Sequence, residues 1–177
     1  MLELIQVVAL WTAAGLAAVW LICWLAGVRY IPHNKVGVVE KLWSPKGSLS
    51  KGRIVALEGE AGLQSEILRG GLHAFYFPWQ YRIHKEPLVS VSEGKIGYVY
   101  ARDGEPLPPT HTLGEVVESN NFQDALAFLT NGGQHGRQWA ILREGVYAVN
   151  LALFVVITES VVYSGPIREK DAAKYAT

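Results

Sequence analysis

The chain reads as α+β: one N-terminal transmembrane helix followed by a strand-rich domain with at least one short helix. Three observations predict this. Residues 4–28 are an uninterrupted run of 25 without an ionisable side chain, bounded by Glu3 and Arg29. The later apolar segments are short, rich in Val, Ile and Tyr, and punctuated by Gly and Pro, as strands and turns require. One stretch, residues 121–130, instead spaces its apolar residues as a helix face does. Strands that do not alternate regularly with helices make the domain α+β rather than α/β.

At ~1.5 Å rise per residue the first run makes a helix of roughly 37 Å, enough to cross a hydrocarbon core of about 30 Å with some tilt. A cleavable signal peptide is the competing reading. No Lys or Arg precedes the run, it exceeds the usual ~7–15 apolar residues, and no clean A-x-A site closes it, so a retained anchor is expected. Only the α-amino group and Glu3 lie before it, whereas Arg29, Lys35, Lys41 and Lys46 follow closely. The positive-inside rule then leaves residues 1–3 outside a single-pass cell-membrane protein and puts the C-terminal domain in the cytoplasm. Trp24 and Tyr30 fall where an aromatic belt lies, while Trp11 and Trp20 sit deeper as lipid-facing bulk. Ala13 with Ala17, and Ala14 with Ala18, have small-xxx-small spacing, which alanine-rich helices also show by chance.

Pro32, in Ile31-Pro32-His33-Asn34, is expected to end the helix, because it lacks an N–H and pushes its predecessor toward extended backbone. A strand follows at residues 36–42, with Gly37 marking a bulge or a close approach. Ser44-Pro45-Lys46-Gly47 is a turn, and residues 54–57 form a short strand leading into a loop. Beyond Gly70-Gly71 lies the apolar cluster 72–79, too short to span. Residues 80–85 and 88–91 are strands on either side of Glu86-Pro87, and residues 96–104 echo the first strand. Pro106, Pro108 and Pro109 force a loop. Asn121 is expected to cap a helix through Thr130 whose face carries Phe122, Ala125, Leu126 and Leu129, with Gly132-Gly133 as its stop. One long strand, residues 147–158, completes the domain at 29–160. Residues 161–177 are a polar C-terminal segment.

Charge balances overall, yet residues 29–53 hold six Lys or Arg against Glu40, and residues 54–177 hold ten basic and fourteen acidic groups. The basic collar suits both a topogenic signal and contact with anionic lipid. Balanced charge argues against extensive nucleic-acid binding, which needs a sustained basic surface. Cys23, the only cysteine, lies in the apolar run, so neither a disulfide framework nor a thiolate metal site is available within one chain. Its place near the end of the run suits palmitoylation or simple packing.

Signals for catalysis are weak. His33, His73, His84, His111 and His135 have no ligand spacing, and no nucleophile elbow, P-loop or dinucleotide fingerprint occurs. Glu58 and Glu60 share a face if extended, but in a Gly-flanked loop they read as solvated carboxylates. No catalytic residue, cofactor or metal is therefore assigned. The feature that remains is Phe75-Tyr76-Phe77-Pro78-Trp79, with Tyr81 and Trp43 as neighbours. Two readings stand: contact with a bilayer surface, where amphipathic rings are favoured, or the domain's own core. In the second, strand alternation buries Phe75 and Phe77 and exposes Tyr76.

An apolar N-terminal segment followed by Ile31-Pro32-His33-Asn34-Lys35-Val36-Gly37-Val38-Val39 resembles the start of the SPFH or Band 7 domain shared by stomatins, prohibitins and flotillins. The stretches Ala56-Leu57-Glu58-Gly59-Glu60-Ala61-Gly62-Leu63-Gln64, Leu68-Arg69-Gly70-Gly71-Leu72-His73, Phe77-Pro78-Trp79-Gln80-Tyr81, Asn121-Phe122-Gln123-Asp124-Ala125 and Ile141-Leu142-Arg143-Glu144-Gly145-Val146-Tyr147-Ala148-Val149-Asn150 are similar to the bacterial flotillin-like branch, over roughly residues 30–160. The resemblance implies a non-enzymatic scaffold that organises membrane microdomains or modulates membrane proteases, with no catalytic residue to carry over. Members of that family form homo-oligomers and continue into a second subdomain and a long coiled coil. Because the chain stops at Thr177, closed-cage assembly is not expected of it, and residues 161–177 would begin the missing subdomain.

The leading expectation is a membrane-anchored, flotillin-like scaffold acting through lipid contact and lateral association, with Phe75, Tyr76, Phe77, Trp79, Trp24 and Tyr30 at the lipid. The alternative is a regulatory or adaptor subunit that docks a membrane protease or transporter through a sheet edge or the 121–130 helix. A membrane-tethered hydrolase using Glu58, Glu60 or the histidines ranks last.

Overall fold

The computed structural model describes residues 1–165, apart from the side chains of residues 2–4. It is α+β: an apolar N-terminal helix followed by a strand-rich body. Helix α1 (Leu2–Leu25) contains Ile5–Leu25, a span long and apolar enough to cross a membrane, none of it buried against the rest of the protein. A helix apolar on all sides has the pattern of a buried core helix or of a membrane span, and this one is not covered by the body. It ends before Pro32 is reached, contrary to expectation. Ala26 and Gly27 donate N–H bonds back to Ile22 and Trp24, and Gly27 takes φ +65°, the left-handed glycine that commonly closes a helix. Arg29–Ile31 is already a strand, β1.

The body is built from two four-stranded sheets and two short ribbons. The first sheet has the order β3-β4-β2-β6, from β2 (Lys35–Lys41), β3 (Val55–Ala56), β4 (Gly62–Leu68) and β6 (Tyr81–Pro87). Strand β4 has no counterpart in the sequence reading, because Gly62-Leu63-Gln64-Ser65-Glu66 carries little β-branched character. It forms by pairing antiparallel with β2, with a register shift between Val38 and Glu40. Gly37 is a close approach, not the bulge: a Cβ there would lie 3.0 Å from Ile83 and 3.1 Å from Ile31. The β1 strand pairs with β5 (Gly71–His73) in the first ribbon.

The second sheet has the order β12-β11-β8-β9, from β8 (Gly97–Ala101), β9 (Gly136–Leu142), β11 (Phe154–Ile157) and β12 (Val162–Tyr163). The second ribbon pairs β7 (Val89–Val91) with β10 (Gly145–Tyr147). The long strand expected at 147–158 is thus two strands broken by a turn, and Asn150 is the reason. Fully buried, it donates from Nδ2 to the carbonyls of Gln64 and Ser65 at 3.0 Å each and accepts from Ala152 N–H at 3.0 Å. Those bonds replace a sheet ladder with a bridge to the first sheet. The expected polar segment 161–177 begins with β12, and the rest of it lies outside the described residues.

Helix α2 is Ala125–Thr130, shorter than expected and capped by Asp124, whose Oδ1 accepts from Ala127 N–H at 2.8 Å. Asn121 cannot cap it, because Asn120, Asn121 and Phe122 all hold positive φ, at 49°, 53° and 62°. That turn drives Phe122 inward, where Phe122, Phe128 and Phe154 pack at ring-centroid separations of 5.0–6.1 Å. Phe128 takes the core position assigned by periodicity to Leu126, which is exposed. Around these rings lie Val89, Val99, Leu142, Leu151 and Leu153, the main core. A second, smaller core of Ile31, Val39 and Leu68, flanked by Tyr76, Tyr81 and Ile83, lies next to the end of α1.

Candidate functional site

The site is assembled where α1 meets the body. Phe75 N–H donates to the carbonyl of Ala26 at 3.0 Å, and Tyr76 N–H donates to that of Gly27 at 3.1 Å. These bonds extend the β1–β5 ribbon, so the segment after β5 is fastened to the last turn of α1. Approach is so close that a Cβ on Gly27 would lie 2.5 Å from the Tyr76 carbonyl carbon. Glycine is therefore required twice there, by φ and by space.

The aromatic cluster takes the opposite sense from simple alternation. Strand β5 stops at His73 and Phe75 adopts φ +70°, so the period of two is lost. Phe75 is left 74% exposed, while Tyr76 turns in against the small core and meets Tyr81 edge to face at 5.4 Å. Burial, and next the Glu66 carboxylate, raise the Tyr76 hydroxyl above its ordinary pKa. Phe77 is half-buried and stacks on Trp79 at 5.1 Å, with Trp79 itself 51% exposed. Tyr30 on β1 stands directly opposite Leu72 on β5, and both are exposed, at 54% and 74%. Trp24 is exposed in the last turn of α1. Leu42 N–H donates to Gln80 O at 2.7 Å, which brings exposed Trp43 beside this segment. The fold thus gathers Tyr30, Leu72, Phe75 and Trp79 as exposed apolar groups on segments joined to the helix end. Leu72 was marked by sequence only as the first residue of the apolar cluster 72–79, and Gly27 was not singled out, its only signal being adjacency to the end of the apolar run.

Two cations of the basic collar are engaged by the body. Lys41 Nζ donates to Gly59 O at 2.9 Å and Lys46 Nζ to Glu58 O at 2.6 Å, so both bond carbonyls of the loop after β3. In that loop Glu60 Oε2 accepts from Glu58 N–H at 3.0 Å, and backbone N–H bonds hold its carboxyl below the usual range. Glu58 and Glu60 are thereby tied into a turn. The histidines are dispersed: His73 Nε2 is 2.7 Å from Arg69 O, His84 Nε2 is 2.8 Å from Glu40, and His135 is 3.4 Å from the Tyr100 hydroxyl. Among the described residues, no group of three or more His, Cys, Asp or Glu is arranged to hold a metal.

Two concave regions accompany the site. One, of about 310 Å³, lies over the first sheet and is lined by Lys41, Gln64, Glu66, Tyr76, Tyr81 and Leu126 among others. The other is a broad groove of about 800 Å³ on the outer face of the second sheet, lined by Tyr98, Tyr100, Trp139, Ile141, Val155 and Ile157 with Arg137. Alternation along β8 and β9 sends Gly97, Val99 and Ala101 inward and leaves these aromatic groups outside. Comparisons with protein-family models, with curated proteins and with solved structures find no match to this chain.

Proposed function

We propose that the protein is a membrane-anchored scaffold of the SPFH or Band 7 kind, which holds a cytoplasmic domain against the bilayer and concentrates partners by lipid contact and lateral association. The observation that carries this reading is the hydrogen-bonded junction between the end of α1 and the Phe75–Tyr76 backbone. A helix long and apolar enough to span delivers its last turn to the interface. Exposed groups on the segments joined to it, Tyr30, Leu72, Phe75 and Trp79, would then lie near the interface, where aromatic rings partition well. Arg29, Lys35, Lys41 and Lys46 support the cytoplasmic orientation. The scaffold assignment rests on the resemblance of residues 30–160 to the bacterial flotillin-like branch.

Site-directed labelling tests the lipid contact in the intact chain. Cys23→Ser removes the only thiol, and a single Cys in place of Phe75 then carries a spin label in vesicles. The label is expected to be more accessible to oxygen than to an aqueous nickel chelate, with the reverse at exposed Val116 or Val146. Equal behaviour at 75 and 116 overturns the contact.

A second reading, an adaptor that docks a membrane protein, is favoured by the exposed apolar face of the second sheet, since large apolar patches mark interaction surfaces. A stoichiometric partner retained after detergent solubilisation, and lost on Trp139→Asp, supports the adaptor over a purely lipid-organising role.

A further inference from the structure

The cavity of about 310 Å³ over the first sheet has a distribution of charge that the aromatic loop alone does not explain. Val39 and Lys41 are two apart on β2, so they share a face, and Tyr81 on β6 stands directly opposite Lys41. Glu66, exposed on β4, lines the same cavity as Tyr76 and Tyr81. The wall therefore carries an anionic group beside two tyrosine rings set nearly perpendicular, at 72° and 5.4 Å. An ammonium is stabilised by a carboxylate and by aromatic faces within about 6 Å. Among the described residues the Glu66 carboxylate has no cationic partner. Elsewhere on the same lining stands Lys41, whose ammonium uses one donor on Gly59 O and keeps two others. A lysine ammonium with free donors suits a phosphate.

We propose that this cavity binds the zwitterionic headgroup of a phospholipid, with the phosphoethanolamine or phosphocholine ammonium against Glu66, Tyr76 and Tyr81 and its phosphate on Lys41. The volume lies at the lower end of ligand pockets, about 300–1,000 Å³, which suits a headgroup without its acyl chains. Tyr76 links this cavity to the exposed loop, because its neighbour Phe75 is the most exposed ring of the cluster. The identification of the source as lipid rests on the proposed membrane contact of that loop. The loop residues then set depth, and the cavity selects which headgroup lies beneath the domain.

Calorimetric titration of the full chain in maltoside micelles tests this with dihexanoyl phosphatidylethanolamine, the choline and glycerol analogues, and free phosphoethanolamine. The amine lipids are expected to bind saturably and at least about tenfold more tightly than the glycerol lipid, the worth of one charge-assisted contact. Glu66→Gln should weaken them by a similar factor, and Tyr76→Phe should retain binding that Tyr76→Leu loses. Phe75→Ser with Trp79→Ser should leave headgroup selectivity intact. Failure of the vesicle labelling at position 75 is therefore separable from failure of this site. Equal binding of glycerol and amine lipids, or no effect of Glu66→Gln and Tyr76→Leu in folded protein, overturns the proposal. So does free phosphoethanolamine binding as tightly as the lipid, which makes the ligand a soluble zwitterion.

Discussion

Phe75 donates its backbone N–H to the carbonyl of Ala26 at 3.0 Å, although the two are separated by nearly fifty residues of chain. The carbonyl of Ala26, the residue that caps α1, has no partner within the helix and is thereby satisfied by a strand-rich body. The consequence is mechanical. Helix and body are joined by a short hydrogen-bonded ribbon, not by a free linker, and whatever holds the helix also orients the loop.

Gly27→Ala should break that junction. The substitution meets the Tyr76 carbonyl carbon at 2.5 Å and holds an L-residue at φ +65°, a conformation that costs roughly 1–2 kcal/mol before the collision is counted. Hydrogen exchange should show Phe75 and Tyr76 amides losing protection, while Gly15→Ala, with open space around it, leaves them unchanged.

Asn150→Ala should be among the most destabilising single changes in the body. It removes two donors from carbonyls of β4 and one acceptor from Ala152, all at a fully buried site. A loss of about 3 kcal/mol is expected from unpaired buried groups, read as a lower denaturant midpoint. Asn150→Asp should be no better, since it sets a carboxylate against two carbonyl oxygens.

Arg102→Met should stabilise the protein or leave it unchanged. Arg102 Nη1 is buried without a hydrogen-bond partner, and burial lowers the pKa of its guanidinium. An unpaired buried polar atom costs about 1–3 kcal/mol, and methionine fills similar space without it. A fall in the thermal midpoint would show that the guanidinium has a partner that matters.

Glu60 should give the loop after β3 an acid limit. Its folded carboxyl titrates below its ordinary value because backbone N–H bonds, its own and that of Glu58, favour the ionised form. A depressed carboxylate contributes stability above the unfolded pKa and loses it as pH falls through the folded pKa. Glu60→Gln should therefore flatten the acid limb of loop protection, measured by hydrogen exchange of Glu58 N–H between neutral pH and the range below ordinary carboxylate titration.

Much of the fold was legible because local chemistry and packing agree. Lys35–Lys41, Tyr81–Pro87 and Val89–Val91 fall close to their expected positions, since short extended segments bounded by turn residues have few alternatives. The turn expected at Ser44 to Gly47 is present, closed by Gly47 N–H donating to Ser44 O at 3.0 Å. Elements that depend on distant partners were not legible. Strand β4 is held by β2 and β3 despite its weak propensity, and α2 begins only at Ala125, capped by Asp124, because Asn120, Asn121 and Phe122 are held at positive φ.

The candidate site divides in the same way. Sequence alone determined that an apolar helix long enough to span a bilayer precedes a strand-rich body, because the length of an uncharged run and the spacing of turn residues are properties of the chain. It also drew attention to residues 75–79 by composition. Only the tertiary structure decided which of them face outward, since Phe75 at φ +70° ends the strand period and turns Tyr76 into the small core. It alone decided that the segment lies against the end of α1, and that Lys41, Glu66, Tyr76 and Tyr81 line one cavity. The physical reason is that backbone pairing between β1 and β5 carries no side-chain signature. Hydrogen bonds between main chains place residues together without writing that proximity into the sequence.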